Sequence, residues 1–153
     1  MTVIIDGSNG ITFPNSTTQI SAGSVLQVVS TNSTVGLGTS STSYVTTGLS
    51  ASITPKFSSS KILILITGQT YSSASVNSTY LGIYRNSTLI FENAGSYSGA
   101  GGVSGFSSIN CLDSPATTSS TTYTLYTKNA GGAVSYFNSG ALSVNITLME
   151  IAA

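Results

Sequence analysis

The stretch Thr79-Tyr80-Leu81-Gly82-Ile83-Tyr84-Arg85-Asn86-Ser87-Thr88-Leu89-Ile90-Phe91-Glu92 reads as a β-hairpin. Two apolar runs of strand length flank Asn86-Ser87, and Asn tolerates the positive φ that a two-residue turn needs at its first central position. Successive strand residues face opposite ways, so Leu81 and Ile83 share one face and Tyr80 and Tyr84 the other. By the same alternation Leu89 and Phe91 share a face and Ile90 takes the opposite one. On the amino-terminal side lies Ile62-Leu63-Ile64-Leu65-Ile66, which is apolar on both faces.

Strand signals repeat outward from this hairpin at the spacing of a sandwich or barrel. The candidates are Val25–Ser30, Tyr44–Leu49, Ser50–Thr54, Lys61–Thr67, Thr79–Arg85, Thr88–Glu92, Phe106–Leu112, Thr122–Lys128, Val134–Phe137 and Ser143–Ile151. A Gly/Ser-rich loop is expected over Gly95–Gly105, a Ser/Thr loop over Asp113–Ser120 and a hairpin turn at Asn129–Gly132. No window carries apolar residues at helical spacing without Gly or a Ser/Thr run breaking it. The expected fold is all-β, an antiparallel jelly-roll sandwich over residues 24–153, preceded by an extended amino-terminal arm over residues 1–23. An immunoglobulin-like sandwich is the rival, but its Cys pair and Trp are absent.

Composition narrows the function. The 153 residues include four basic and four acidic side chains, no His, no Trp and one Cys. Gly, Ser and Thr make up about 44% of the chain. Without His there is no Ser-His-Asp or Cys-His catalysis, and one Cys permits neither an intrachain disulfide nor a zinc cluster. Zero net charge with dispersed cations gives no electrostatic footprint for nucleic acid. The acids Asp6, Glu92, Asp113 and Glu150 are scattered over different elements, so no general acid/base pair is expected. No cofactor or metal is expected, and the chain reads as a non-enzyme. Hydrophobic residues at 40% argue against disorder. The longest aliphatic run is far short of the roughly 20 residues needed to span a bilayer, and no signal peptide is recognised at Met1–Gly7. Cys111 reads as a small buried apolar residue.

The strands that are apolar on both faces need a second partner beyond the sandwich core. A homotrimer is expected, with Tyr80 and Tyr84 as candidate axis residues. Carbohydrate binding is the live functional idea, because sugar sites use aromatic platforms and neutral polar groups. Tyr71, Tyr97, Tyr136 and Phe137 are its candidates.

The segment Ile5-Asp6-Gly7-Ser8-Asn9-Gly10-Ile11-Thr12-Phe13-Pro14-Asn15-Ser16-Thr17-Thr18-Gln19 resembles a stretch common in bacteriophage tail-fibre and other phage virion proteins. Val25–Val29, Ser43–Leu49, Ile53-Thr54-Pro55 and Ser58–Ile64 follow in the order seen in such fibre heads, so the resemblance covers roughly residues 5–66. It implies a trimeric β-structured head on a virion appendage, joined to other virion proteins through residues 1–23 and contacting a host surface glycan or receptor. The expected location is the virion, assembled in the host cytoplasm, with no nucleic-acid partner and no membrane insertion. A capsid decoration or head-fibre protein is the alternative. Counting strand directions from Lys61–Thr67 puts Val25 and Ile151 at one end, facing the virion. The same count puts Thr31–Ser43, Pro55–Ser60, Asn86–Ser87, Asp113–Ser120 and Ser139–Ala141 at the distal end. Lys56, Asn86 and Asp113 are the candidate receptor contacts on that count.

Overall fold

The computed structural model describes residues 4–6, 10–12, 14, 18–19, 24–73, 77–99, 102–131 and 133–153. Every element among them is a strand. The first three are short, β1 (Ile4–Asp6), β2 (Gly10–Thr12) and β3 (Thr18–Gln19), and pair antiparallel with one another. Apart from Pro14, the rest of residues 1–23, Phe13 included, lies outside the described residues, and so does most of the expected arm.

The head contains β4 (Val25–Ser33), β5 (Leu37–Thr39), β6 (Val45–Ile53), β7 (Lys61–Ser72), β8 (Asn77–Arg85), β9 (Thr88–Ser98), β10 (Val103–Asp113), β11 (Thr121–Asn129), β12 (Ser135–Phe137) and β13 (Val144–Ile151). The larger sheet runs β4-β13-β7-β10, and the smaller runs β6-β11-β8-β9. Setting aside β5 and β12, eight antiparallel strands divide between two four-stranded sheets, with every connection crossing between sheets except the β8–β9 hairpin, which is the connectivity of a jelly roll. The expected fold is the observed one. The short strands β5 and β12 extend the larger sheet beside the last residues of β7.

The core lies between the sheets. Alternation along β7, β11 and β13 sends Ile62, Ile64, Ile66, Tyr123, Leu125, Ile146 and Leu148 inward, where Leu49, Ile53, Leu81, Ile83 and Phe137 meet them. The hairpin of β8 and β9 forms as read, with Asn86 at φ 53° and Arg85 opposite Thr88.

Four strand readings need correction, each for a local reason. Tyr44–Leu49 and Ser50–Thr54 are one strand, because Gly48 at φ +81° accommodates a bulge rather than a turn. The bulge opposite it falls between Thr124 and Tyr126. β7 continues five residues past Thr67, because Gly68 is where the Phe137 ring lies on the backbone; a Cβ there would sit 2.5 Å from the ring. Gly95–Gly105 is mostly strand, and the connection shrinks to residues 99–102. In β9 a register shift opposite Ile83/Tyr84 separates Leu89 from Phe91. Phe91 packs on the core together with Ile90, and Leu89 faces outward over Gly82.

Two features of the topology invert the end assignment. With β6 one strand rather than two, β4 runs parallel to β7 rather than against it. The strands β12 and β13 follow each other down the same edge of β7 in the same direction. Val25 lies opposite Ile151, which lies opposite Lys61. Asp113 lies opposite Ile62, Thr121 opposite Ile53, and Arg85 opposite Tyr123. Val25, Ile151, the 54–60 connection, the Asn86-Ser87 turn and the 114–120 connection therefore share one end, the entry end. The connections 34–44 and 138–143 lie toward the opposite end.

Candidate functional site

The three expected receptor contacts sit at the entry end beside Val25, and each has a structural task there. Asp113 is 11% exposed and accepts from Arg85 Nη1 at 2.9 and 3.0 Å and from the Tyr123 hydroxyl at 2.7 Å. Burial, and then the bond to Asp113, push the Tyr123 phenol far above its ordinary range. Asn86 is the left-handed turn residue, and its Oδ1 accepts from the Thr122 N–H at 3.1 Å. Lys56 Nζ donates to the Leu26 carbonyl at 3.0 Å. Their expected placement at the end away from Val25 is corrected by the strand directions.

Sequence reasoning missed Glu150 as anything but a scattered acid. It is fully buried, and no cationic side chain among the described residues is bonded to it. Gln27 Nε2 donates to it at 2.6 Å, and the N–H groups of Lys56 and Phe57 donate at 2.7 and 3.4 Å. Desolvation pushes its carboxyl up. The nearby Ser60 hydroxyl, the Gln27 amide and the two N–H groups outweigh that and hold it below the ordinary carboxylate range. The carboxylate thus fastens β4 and the 54–60 connection to β13. The one available signal was its parity with Leu148 and Ile146, which point inward.

Tyr80 and Tyr84 face outward from the smaller sheet, as the alternation predicts. They belong to a cluster in which Tyr84 meets Tyr126 at 4.1 Å and Tyr44 at 5.7 Å between ring centroids. Tyr44, which precedes β6, lies over Gly82, where a Cβ would be 2.9 Å from its ring. Its hydroxyl donates to Glu92 at 2.7 Å, and Lys128 reaches Glu92 at 3.0 Å while lying 4.5 Å from the Tyr44 ring centre. Burial and the Glu92 bond raise the Tyr44 phenol, while the Tyr44 and Lys128 bonds lower the Glu92 carboxyl. The chain's own Tyr44 therefore covers part of the face expected to need a partner.

The outer face of the larger sheet has three zones. Near the entry end, Val28, Met149, Leu63 and Leu112 lie side by side across four strands. Val28 and Leu112 are more than half exposed. In the middle, Asn145 Nδ2 donates to Ser30 and Asn32, and Thr147 shares hydrogen bonds with Ser30 and Asn145. At the far end Tyr136, Tyr71 and Ser104 lie in one row, with Gln69 and Phe106 in the next.

The far zone is the candidate site. Tyr71 and Tyr136 pair at 5.6 Å between centroids and a 41° tilt. Each ring lies down over a glycine. A Cβ on Gly38 would sit 2.6 Å from the Tyr136 ring, and one on Gly102 would sit 2.5 Å from the Tyr71 hydroxyl. Phe106 stands beside them at 76% exposure, the largest value among the exposed large hydrophobics described. Gln69 Nε2 donates to Ser104 Oγ at 2.9 Å, and its Oε1 accepts from Ser139 Oγ and Gly140 N at 3.2 and 3.3 Å. Of the sugar-platform candidates, Tyr71 and Tyr136 come together here. Phe137 is in the core, and Tyr97, though exposed, belongs to β9 in the other sheet.

Among the described residues no three His, Cys, Asp or Glu side chains gather as a metal site. Cys111 packs partly buried against the core, and burial raises its thiol.

No family model matches the chain, and no curated protein matches it. Among solved structures it is similar to the VP2 protein of infectious bursal disease virus. Against a mutant VP2 from T=1 particles the identity is 13% and the TM-score 0.46, covering 84% of this chain and 37% of that one. Against the VP2 subviral particle the identity is 13% and the TM-score 0.46, covering 96% and 40%. The chain spans less than half the length of these structures.

Proposed function

We propose that the chain is a virion surface protein, a jelly-roll head that adsorbs to glycans on the host cell through the end opposite Val25. The observation that carries this reading is the division of the head. The residue where the amino-terminal segment joins, the Glu150 clamp and three of the four cations of the sequence lie at the entry end. The aromatic platform, half-buried Tyr71 and Tyr136 beside exposed Phe106, lies at the other. The resemblance of residues 5–66 to phage fibre proteins supports it. In this reading residues 1–23 join the head to other virion proteins. Quantitative mass spectrometry of purified particles tests it. A few copies per attachment site is the expected result, hundreds per particle fits a capsid decoration protein, and absence from the particle overturns both.

In the same reading the head is a homotrimer. The Val28–Met149–Leu63–Leu112 row offers the apolar surface for protomer contact, since Tyr44 already covers part of the face of Tyr80 and Tyr84. Interface cores are depleted in charge, and none of these four residues is charged. Val28→Lys with Leu112→Lys is expected to shift sedimentation from trimer to monomer at micromolar concentration, while Tyr80→Ser with Tyr84→Ser leaves the trimer in place. The reverse pattern returns the axis to the tyrosines.

A further inference from the structure

We infer that the Tyr71–Tyr136–Phe106 platform binds an uncharged hexopyranose, so that the glycan recognised is neutral rather than acidic. This inference rests on the adsorption reading above and names its ligand class.

Three observations carry it. The first is the shape and chemistry of the floor. Tyr71 and Tyr136 lie over Gly102 and Gly38 at a 41° tilt to each other, and Phe106 projects beside them. A pyranose ring has one face dominated by C–H groups, and such a face packs on aromatic carbon with loss of little hydration. The second is the rim. Gln69 is held on both sides of its amide, by Ser104 and by the 139–140 turn, so it does not rearrange when a ligand arrives. Ser104 accepts from Gln69, which leaves its hydroxyl proton to donate outward to a sugar oxygen.

The third observation is charge. Lys56, Lys61, Arg85, Asp113 and Glu150 are at the entry end. Lys128 and Glu92 pair on the outer face of the other sheet. None of these seven charged side chains stands beside the platform, and the side chain of Asp6, the eighth charged residue of the sequence, lies outside those described. A sialic acid, uronic acid or phosphorylated sugar would lose its carboxylate or phosphate hydration there without gaining a cation, which is unfavourable. A neutral sugar meets no such cost.

The test is a glycan array carrying lactose, maltotriose and mannotriose beside sialyllactose and trigalacturonate, probed with the labelled full chain. Binding to one or more neutral spots is expected, unchanged between roughly 50 and 500 mM salt because no ion pair is formed. Phe106→Ala is expected to weaken it by about tenfold, the loss of one stacked ring, with unchanged thermal melting because Phe106 is mostly exposed. Phe106→Trp is expected to retain it. Binding confined to acidic spots, loss of binding in high salt, or full binding by both Phe106→Ala and Tyr136→Ala overturns the inference. Adhesion to a panel of bacteria before and after periodate oxidation separates the two levels. Adhesion that survives periodate overturns the glycan ligand and leaves host attachment standing. No adhesion to any cell overturns both.

Discussion

Glu150→Ala is expected to lower the unfolding free energy of the head by about 2–4 kcal/mol, since it strips the acceptor from two backbone N–H groups and the Gln27 amide in a buried setting. Gln27 keeps its bond to the Thr54 carbonyl at 2.7 Å, which limits the loss. Glu150→Gln preserves the shape but turns an –NH2 toward a ring of donors, so it is expected to recover only part of the stability. Urea unfolding of the three proteins measures the series. The acid dependence has a definite sign. The folded carboxyl lies below its ordinary value of 4.5, so its stabilisation is fully present above that pH and is lost as pH falls through the lower folded value. The wild type is therefore expected to lose melting temperature on acidification below that value more steeply than Glu150→Gln. Equal slopes would mean that the carboxyl does not titrate differently on folding.

Asp113→Ala is expected to cost about 2–3 kcal/mol, because the fully buried Tyr123 hydroxyl is left without its acceptor. Arg85 adds less, being about a third exposed and retaining a contact to the Ser114 carbonyl at 3.4 Å. Tyr123→Phe removes the stranded hydroxyl, so in the Asp113→Ala background it should cost less than it does alone. A double-mutant cycle by chemical denaturation reads this coupling. Additive losses would show that the hydroxyl and the carboxylate act independently. Cell adhesion is expected to be unaffected by Asp113→Ala, since the residue lies at the entry end.

Fold class was legible because burial along β7, β11 and β13 follows strict alternation. In β8 and β11 the inward residues Leu81, Ile83, Tyr123 and Leu125 stand apart from their outward neighbours in the sequence itself. Glycine was the residue that misled. Gly48 and Gly68 each look like the end of a strand, yet one permits a bulge and the other receives the ring of Phe137, seated from 69 residues away. Splitting β6 between Leu49 and Ser50 inverted the direction of β4, and with it the end to which Lys56, Asn86 and Asp113 were assigned. Tyr71 and Tyr136 could be singled out by type, but their pairing depends on β12 docking beside β7, which no local pattern records. Phe106 opens a strand candidate and gives no sign of its exposure. Glu150 shows the same limit from the other side. A carboxylate on an inward parity looks like an error of register until the donors from β4 and the 54–60 connection converge on it.

The Ala152 N–H donates to the Ser24 carbonyl at 2.9 Å, so the chain enters and leaves the sandwich at adjoining points. A module wired in this way can be spliced into a surface loop of another protein, because its two connections span no more distance than a tight turn does. The loop-closure entropy of such a graft is small. The head therefore has the geometry of a cassette, portable between carriers with the end that bears Tyr71, Tyr136 and Phe106 always turned away from the splice.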